Sequence, residues 1–433
     1  MGSHPRPFAE GRTQDLNQAS QRTQFRWRIL ALLFFATTIN YLDRIVFSVL
    51  IPVIRTELQL SNAQYGYING AFQMAYTIGF LFMGKLIDRV GTRLGYAVSI
   101  AWWSLAAALH AFSRGAWSMS FWRAMLGLGE AGNFPAAIKA VAEWFPKKER
   151  ALATGIFNAG TNVASMIGPP LFVWMAGMFG WRACFLITAS LGFVWLLVWL
   201  TLYRPPGEHP RVSPDELRLI QEDALSSHEA PIGWLVALRM RQTWGFGMAK
   251  FLTDPVWWFY LYWLPPYFYD VRKFDLRAIG WALPFIYLMA DIGSVAGGWL
   301  SGFLIRRGWP TGRARKTSLG LCAAVMPVAA LSVLAPNPFV AIGLISLATA
   351  AHQGWSANLY TTVSDVFPRN AVASVTGIGG ALGGFGGVLF SAVLAGLAVQ
   401  HFGYTPIFLT MGAFHLLALL WVHGLMGRLE PAR

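Results

Sequence analysis

The chain has 433 residues, 55% hydrophobic and only 12% charged, about half the roughly 25% charge of a soluble domain. With a mean hydropathy of +0.46, this makes lipid rather than water the expected solvent and excludes a set of ordinary soluble domains. The net charge of +14 implies no nucleic-acid partner, because the Lys and Arg residues sit in short loops between apolar runs and form no basic domain.

Residues 1–26 are polar and lack the apolar core of a signal peptide. They are read as a cytoplasmic tail, with the first membrane helix as its own insertion signal. A membrane helix needs about 20 mostly apolar residues. That criterion predicts twelve. The first six cover 27–52, 63–84, 94–113, 116–143, 151–178 and 181–203, an N-terminal bundle over 27–203. Residues 204–241 form a polar, Pro-rich cytoplasmic linker with a short amphipathic piece around 215–225. The second six cover 243–269, 279–305, 316–335, 338–364, 372–400 and 404–426, a C-terminal bundle over 242–426, followed by a cytoplasmic tail over 427–433. Lys and Arg crowd alternate loops, so those loops and both termini are placed in the cytoplasm of a bacterial inner-membrane protein.

The two sets of six repeat. Phe145, Pro146 and Lys147 precede Thr154, Gly155 and Ile156; Phe367, Pro368 and Arg369 precede Thr376, Gly377 and Ile378, at an offset of 222. Gly180-Trp181 recurs as Gly403-Tyr404 at 223. Parallel repeats of this kind are a transporter architecture, with the substrate between the halves near the midplane. Cys184 and Cys322 lie in apolar runs without a second Cys or His at ligand spacing. Neither a disulfide framework nor a metal site is indicated. With no nucleophile–base arrangement and no catalytic domain, an enzyme is not expected. No cofactor is implied.

Ionisable residues at membrane depth cost about 2.5–3.5 kcal/mol each at a helix centre and are functional candidates by default. The first span holds Asn40, Tyr41, Asp43 and Arg44; the fourth holds Arg123 and Glu130. Arg123 and Glu130 are seven apart, two helical turns, and share a face. Two acids and two arginines make a neutral set if they meet. That set is either a structural pair of salt bridges or an anion site with a proton-accepting acid. Arginine stays charged and forks onto carboxylates, and a carboxylate removed from water can exchange a proton near neutral pH.

Between spans two and three, Gly84-Lys85-Leu86-Ile87-Asp88-Arg89-Val90-Gly91-Thr92-Arg93 resembles the signature loop of the major facilitator superfamily. The glycines permit a tight turn and close helix approach, and Asp88 suits the positive end of a helix. The resemblance implies the major facilitator fold, an all-α membrane protein of twelve transmembrane helices in two six-helix pseudo-repeats. It also implies that Gly84, Asp88, Arg89, Gly91 and Arg93 form a gating loop, with Asp88 latched to span eleven. The Asn40–Arg44 run, the stretch from Arg123 through Glu130 to Pro135, and Glu143-Trp-Phe-Pro146 resemble the anion:cation symporter branch. Lys250-Phe-Leu-Thr-Asp254 through Pro266, Met289–Gly298 and His352–Asn358 resemble bacterial hexuronate carriers.

What this implies is proton-coupled uptake of a sugar acid by a chain acting as a monomer in the bilayer. The substrate would be a hexuronate such as galacturonate or glucuronate, with an aldonate, aldarate or other organic acid as the alternative. Arg44 resembles the substrate-carboxylate ligand, with Asp43 and Glu130 the proton-coupling acids. Arg123 is their charge partner or a second anion contact. Tyr41 and Tyr76 are cavity hydroxyls. The second half should supply polyol contacts from Tyr262, His352, Gln353, Trp355, Ser356 and Asn358. Asp254, Asp291 and Asp365 are expected near helix ends in structural positions. The glycines of span eleven are expected to allow close packing, a hinge, or both.

Overall fold

The computed structural model describes residues 23–221, 234–367 and 369–426. Among them there is no strand. Helices α1 (Phe25–Leu58), α2 (Asn62–Val90) and α3 (Thr92–Leu109) come first. α4 runs as Ala116–Glu130 and Asn133–Trp144, with a break at Ala131-Gly132 that the sequence reading had spanned with one helix. Residues 147–202 form one 56-residue trace that turns at Gly180 (φ 79°) into α5 before it and α6 after it. Only glycine takes that backbone without strain, so the expected break between spans five and six is a single residue.

A short linker helix, Pro214–Gln221, leads to the second set. This comprises α7 (Arg241–Asp270), α8 (Leu276–Arg306), α9 (Thr311–Val325 and Val328–Leu334), α10 (Pro338–Val366), α11 (369–402) and α12 (Thr405–Met426). α11 is π-helical over Gly387–Leu394. Among the described residues, seven helical stretches are long and apolar enough to cross a membrane. α2, α4, α7 and α10 are not among them; all four carry buried charged or polar residues. Large apolar side chains such as Phe121, Leu197, Trp299 and Leu420 face outward, as lipid contact requires.

The linker belongs to one end of the bundle and fastens the start of α1. Glu216, fully buried, accepts from the backbone N–H groups of Phe25 (3.1 Å) and Arg26 (3.1 Å) and pairs with the Arg26 guanidinium (3.2 Å). A carboxylate on the unpaired N–H groups of a helix start also complements its dipole. Residues 1–22, 222–233 and 427–433 of the predicted tails and linker lie outside the described residues.

The polar contacts between the halves sit toward the opposite end. Arg55, in the last turn of α1, pairs with Asp270 at the end of α7 and with Asn62 (2.7 Å). Tyr404 donates to Asp270 (3.2 Å), and Tyr65 donates to the Tyr262 carbonyl (2.5 Å). α2 and α11 close on each other through glycines: a Cβ on Gly66 would lie 2.5 Å from the Ala392 carbonyl, and one on Gly396 would lie 2.9 Å from the Gly66 Cα. Small residues let helices approach this closely where no hydrophobic drive exists. At the linker end Phe80 and Tyr360 are exposed. The molecule is sealed at one end and open between its halves at the other.

The glycine-rich start of α11 is explained by packing on two sides. Gly379, Gly383 and Gly386 lie against α7, where added Cβ atoms would meet Phe246, Asp254 and the Phe251 carbonyl at 2.0–2.2 Å. Gly384 faces Thr77 of α2 at 2.4 Å.

Candidate functional site

Tyr41 and Arg44 are three apart on α1 and face the gap between the halves. The Arg44 guanidinium is 1% exposed and boxed by four rings. Its carbon lies 4.5 Å from the Tyr76 centroid, 4.8 Å from Tyr41, 5.1 Å from Phe72 and 5.4 Å from Trp258. Each such contact adds about 0.5–2 kcal/mol, more when desolvated. Within the box, Nε and Nη2 both donate to one oxygen of Glu130, at 3.0 and 2.9 Å. The arrangement is one-sided. Glu130 Oε1 has no partner among the described residues, and no described residue takes Arg44 Nη1. The Nη1 nitrogen of the arginine and one oxygen of the acid are uncommitted inside the aromatic cage.

Glycines in α4 bring Glu130 there. A Cβ on Gly127 would lie 2.4 Å from the Phe72 carbonyl, and one on Gly129 would lie 2.6 Å from Trp102. α2 and α3 can therefore press against α4 on either side of the acid. The break after Glu130 is held by Asn133, which accepts from Tyr96 (2.6 Å) and donates to Thr37 (3.4 Å).

Asp43 and Arg123 do not join this pair. Arg123, wholly buried, donates to the Arg44 backbone carbonyl (3.3 Å from each Nη) and to Asn69 (3.4 Å), above the rings of Phe72 and Phe47. Both guanidinium groups lie close to the Phe72 ring, at 5.1 Å for Arg44 and 4.7 Å for Arg123. Among the described residues Arg123 has no carboxylate within ion-pair distance, so the expected neutral quartet closes there as a single pair. Asp43 points away from Arg44 into the first half beside Thr188, whose hydroxyl is committed to the Phe185 carbonyl (3.2 Å). Among the described residues both Asp43 oxygens are buried without a hydrogen-bond partner, as are both polar atoms of Asn40.

A cavity of about 200 Å³ adjoins the cage toward the linker end. Tyr76 and Trp258 belong to both. Its opposite wall is an ion pair whose acid, Asp254, was expected near a helix end in a structural position. Lys250 binds both oxygens of Asp254, at 3.0 and 2.8 Å, and the Tyr360 hydroxyl at 2.8 Å. Asp254 lies in the interior of α7, not at its end, and Asp291 likewise lies inside α8. Asp365 does sit at a helix end, paired with Arg315 (2.9 Å). The signal for the Lys250–Asp254 pair was available in the i, i+4 spacing of opposite charges inside an apolar run.

The remaining second-half candidates divide. Tyr262 donates to Gln73 of α2 (3.2 Å) and stacks on Trp258, next to the cage. His352 is in a buried pair with His415 (Nδ1 to Nε2, 3.1 Å) and stacks on Trp257. Trp355 packs on His415. Asn358 donates to the carbonyls of Gly297 (2.8 Å) and Gly354 (2.9 Å), tying α10 to α8. None of these three lines the cavity; nor do Gln353 and Ser356, which are half-buried.

In the loop between α2 and α3, Gly91 (φ 84°) ends one helix and starts the next. Arg93 is held by the Leu200 carbonyl, and Trp199 donates to the Arg93 carbonyl (2.9 Å). Gly84 has open space around it, and Arg89 is exposed. The side chains of Lys85 and Asp88 lie outside the described residues, so the expected Asp88 latch does too.

Residues 33–391 match the family model described as Major Facilitator Superfamily. A hexuronate transporter of Escherichia coli strain K12 is 34% identical over 402 residues, covering 91% of this chain and 92% of its own. A galacturonate transporter of Dickeya chrysanthemi is 34% identical over 280 residues, 64% of this chain and 81% of its own. Among solved structures, a bacterial homologue of the human lysosomal transporter Spinster, inward-facing and occupied, superimposes with a TM-score of 0.71 at 18% identity. It covers 94% of this chain and 97% of the other.

Proposed function

Because the chain belongs to the major facilitator superfamily, membrane transporters rather than enzymes, we propose that it carries a hexuronate such as galacturonate into the cell with a proton, by alternating access. The observation that carries this reading is the Arg44–Glu130 pair in its aromatic cage beside the cavity. An internal carboxylate occupies the guanidinium that a substrate carboxylate would need. Protonation of Glu130, at the uncommitted Oε1, weakens its hold and frees Arg44 for the incoming anion. Deprotonation restores the internal pair and expels the sugar acid. Proton and substrate thereby depend on each other at one arginine. The 34% identity to hexuronate and galacturonate carriers supports the substrate class.

The linker end is read as cytoplasmic from the Lys and Arg distribution, which puts both termini inside and makes this an inward-open form. Asp43, unpartnered within the first half, is a second proton-carrying candidate, and Arg123 supports Arg44 through its backbone. Uptake of labelled galacturonate into proteoliposomes under an imposed inward proton gradient tests the reading. Accumulation that a protonophore collapses is expected. Transport confined to an aldonate or an aldarate would overturn the substrate. Accumulation insensitive to the proton gradient would overturn the coupling.

A further inference from the structure

We propose that Lys250, Asp254 and Tyr360 form a hydroxyl-selective pole that makes the cavity reject a second carboxylate. The inference rests on the reading of the site as one for a sugar acid. The triad faces the cage across the cavity, since Trp258, which covers Arg44, is on the same face of α7 as Asp254 and Lys250. These residues are four apart, so Asp254 lies about 6 Å along the helix from Trp258 and Lys250 about 12 Å. A substrate anchored by its carboxylate at Arg44 therefore extends its far end toward this pair.

The chemistry of the pole follows from how its donors are used. Lys250 is 3% exposed, and its ammonium has three protons. They are taken by the two Asp254 oxygens and the Tyr360 hydroxyl. The lysine has nothing left for a ligand. Asp254 is different: its side chain is 24% exposed and lines the cavity. A carboxylate offers about four acceptor sites, of which Lys250 takes two. The hydroxyl of Tyr360 accepts from Lys250 and keeps its own proton to give. Gln73 has its carbonyl engaged by Tyr262, which leaves its amide N–H groups for the cavity.

The far wall is thus a charge-neutral surface of free acceptors with a few donors. Sugar hydroxyls, which both donate and accept, satisfy it. A second carboxylate only accepts, carries a charge, and meets Asp254 with Lys250, the one cation among the cavity's described lining residues, already neutralised. Gly379 and Gly383 of α11 leave the room this pair needs: a Cβ on Gly383 would fall 2.0 Å from Asp254 Oδ2, and one on Gly379 3.1 Å from Lys250 Cδ.

The test is competition against labelled galacturonate in proteoliposomes, using unlabelled galacturonate and its dicarboxylate counterpart galactarate. The wild-type protein is expected to prefer galacturonate by about tenfold or more, the size of effect a missed donor and a like charge produce. Asp254→Asn is expected to bring the two competitors within about threefold of each other, and Asp254→Glu to keep the wild-type ratio. Tyr360→Phe, at a side chain 45% exposed, covers the case in which the Asp254 variant does not fold. Losing that hydroxyl frees one Lys250 proton for a second carboxylate and is expected to shift the ratio toward galactarate. An unchanged ratio in the folded variants overturns this inference alone. A wild-type protein that neither sugar acid occupies overturns the functional reading beneath it.

Discussion

The two halves each contribute one buried ion pair to the same space, and the pairs differ in access. Arg44–Glu130, from α1 and α4, is sealed: its side chains are 1% and 0% exposed. Lys250–Asp254, both from α7, has its cation buried but its carboxylate open to the cavity. A sealed pair must break for a ligand to reach its arginine, which suits an element that couples binding to protonation. An open, internally neutralised pair can meet a ligand without breaking, which suits selection. The lesson is that net charge does not distinguish such pairs; what distinguishes them is which partner retains unused hydrogen-bonding capacity.

Removing one partner of the sealed pair should have the largest effect. Arg44→Ala leaves Glu130 buried without its cation, a loss of about 3–5 kcal/mol for such pairs. Galacturonate uptake in proteoliposomes is expected to fall by at least about a hundredfold. Uptake within threefold of wild type would mean the anion site lies elsewhere.

Disturbing the open pair through its neighbour should do less. Gly383→Ala places a methyl group against Asp254 and is expected to lower uptake about tenfold by moving that carboxylate, a shift worth about 1.4 kcal/mol. Gly298→Ala, at a position with no atom within 4 Å of the added carbon, is the control and should be silent. Equal behaviour of the two would remove Asp254 from the site.

The seal at the far end should respond more weakly still. Asp270→Asn weakens a partly exposed pair with Arg55, worth about 1 kcal/mol or less. Spin-label distances across the outer ends of α1 and α7 should then show outward opening populated up to about fivefold more. The smallest effect is expected from His352→Gln, since His352 faces His415 and Trp257 and not the cavity. Its galacturonate-to-galactarate competition ratio should match wild type within about twofold, and a larger change would move the selecting surface toward α10.

Most of the helices were legible because length and apolarity mark a membrane span; α2, α4, α7 and α10 are less apolar, and the paired offsets of 222 and 223 exposed the repeat. The cluster Tyr41, Arg44, Tyr76 and Glu130 was legible too, because a charge at membrane depth is rare and the family motifs surround it. What the sequence hid was pairing. Arg123 and Glu130 share a face by spacing, yet Arg123 is taken up by the Arg44 carbonyl and Asn69, and among the described residues only the Arg44–Glu130 bridge forms. Asn358 and His352 lie in a motif yet face their own half, because rotation of α10 about its axis is set by the close glycine contacts at Gly293, Gly297 and Gly354. Lys250 and Asp254 lie in a motif, with Asp254 expected near a helix end, so their pairing inside α7 was missed.

The central claim is that Glu130 occupies Arg44 until a proton releases it. It is tested most directly by Glu130→Gln in proteoliposomes, comparing two assays on one preparation: exchange of labelled for unlabelled galacturonate with no gradient, and net accumulation under an inward proton gradient. The amide keeps the shape of the acid and cannot lose a proton. The account predicts that exchange persists while proton-driven accumulation disappears. Accumulation equal to wild type would contradict it.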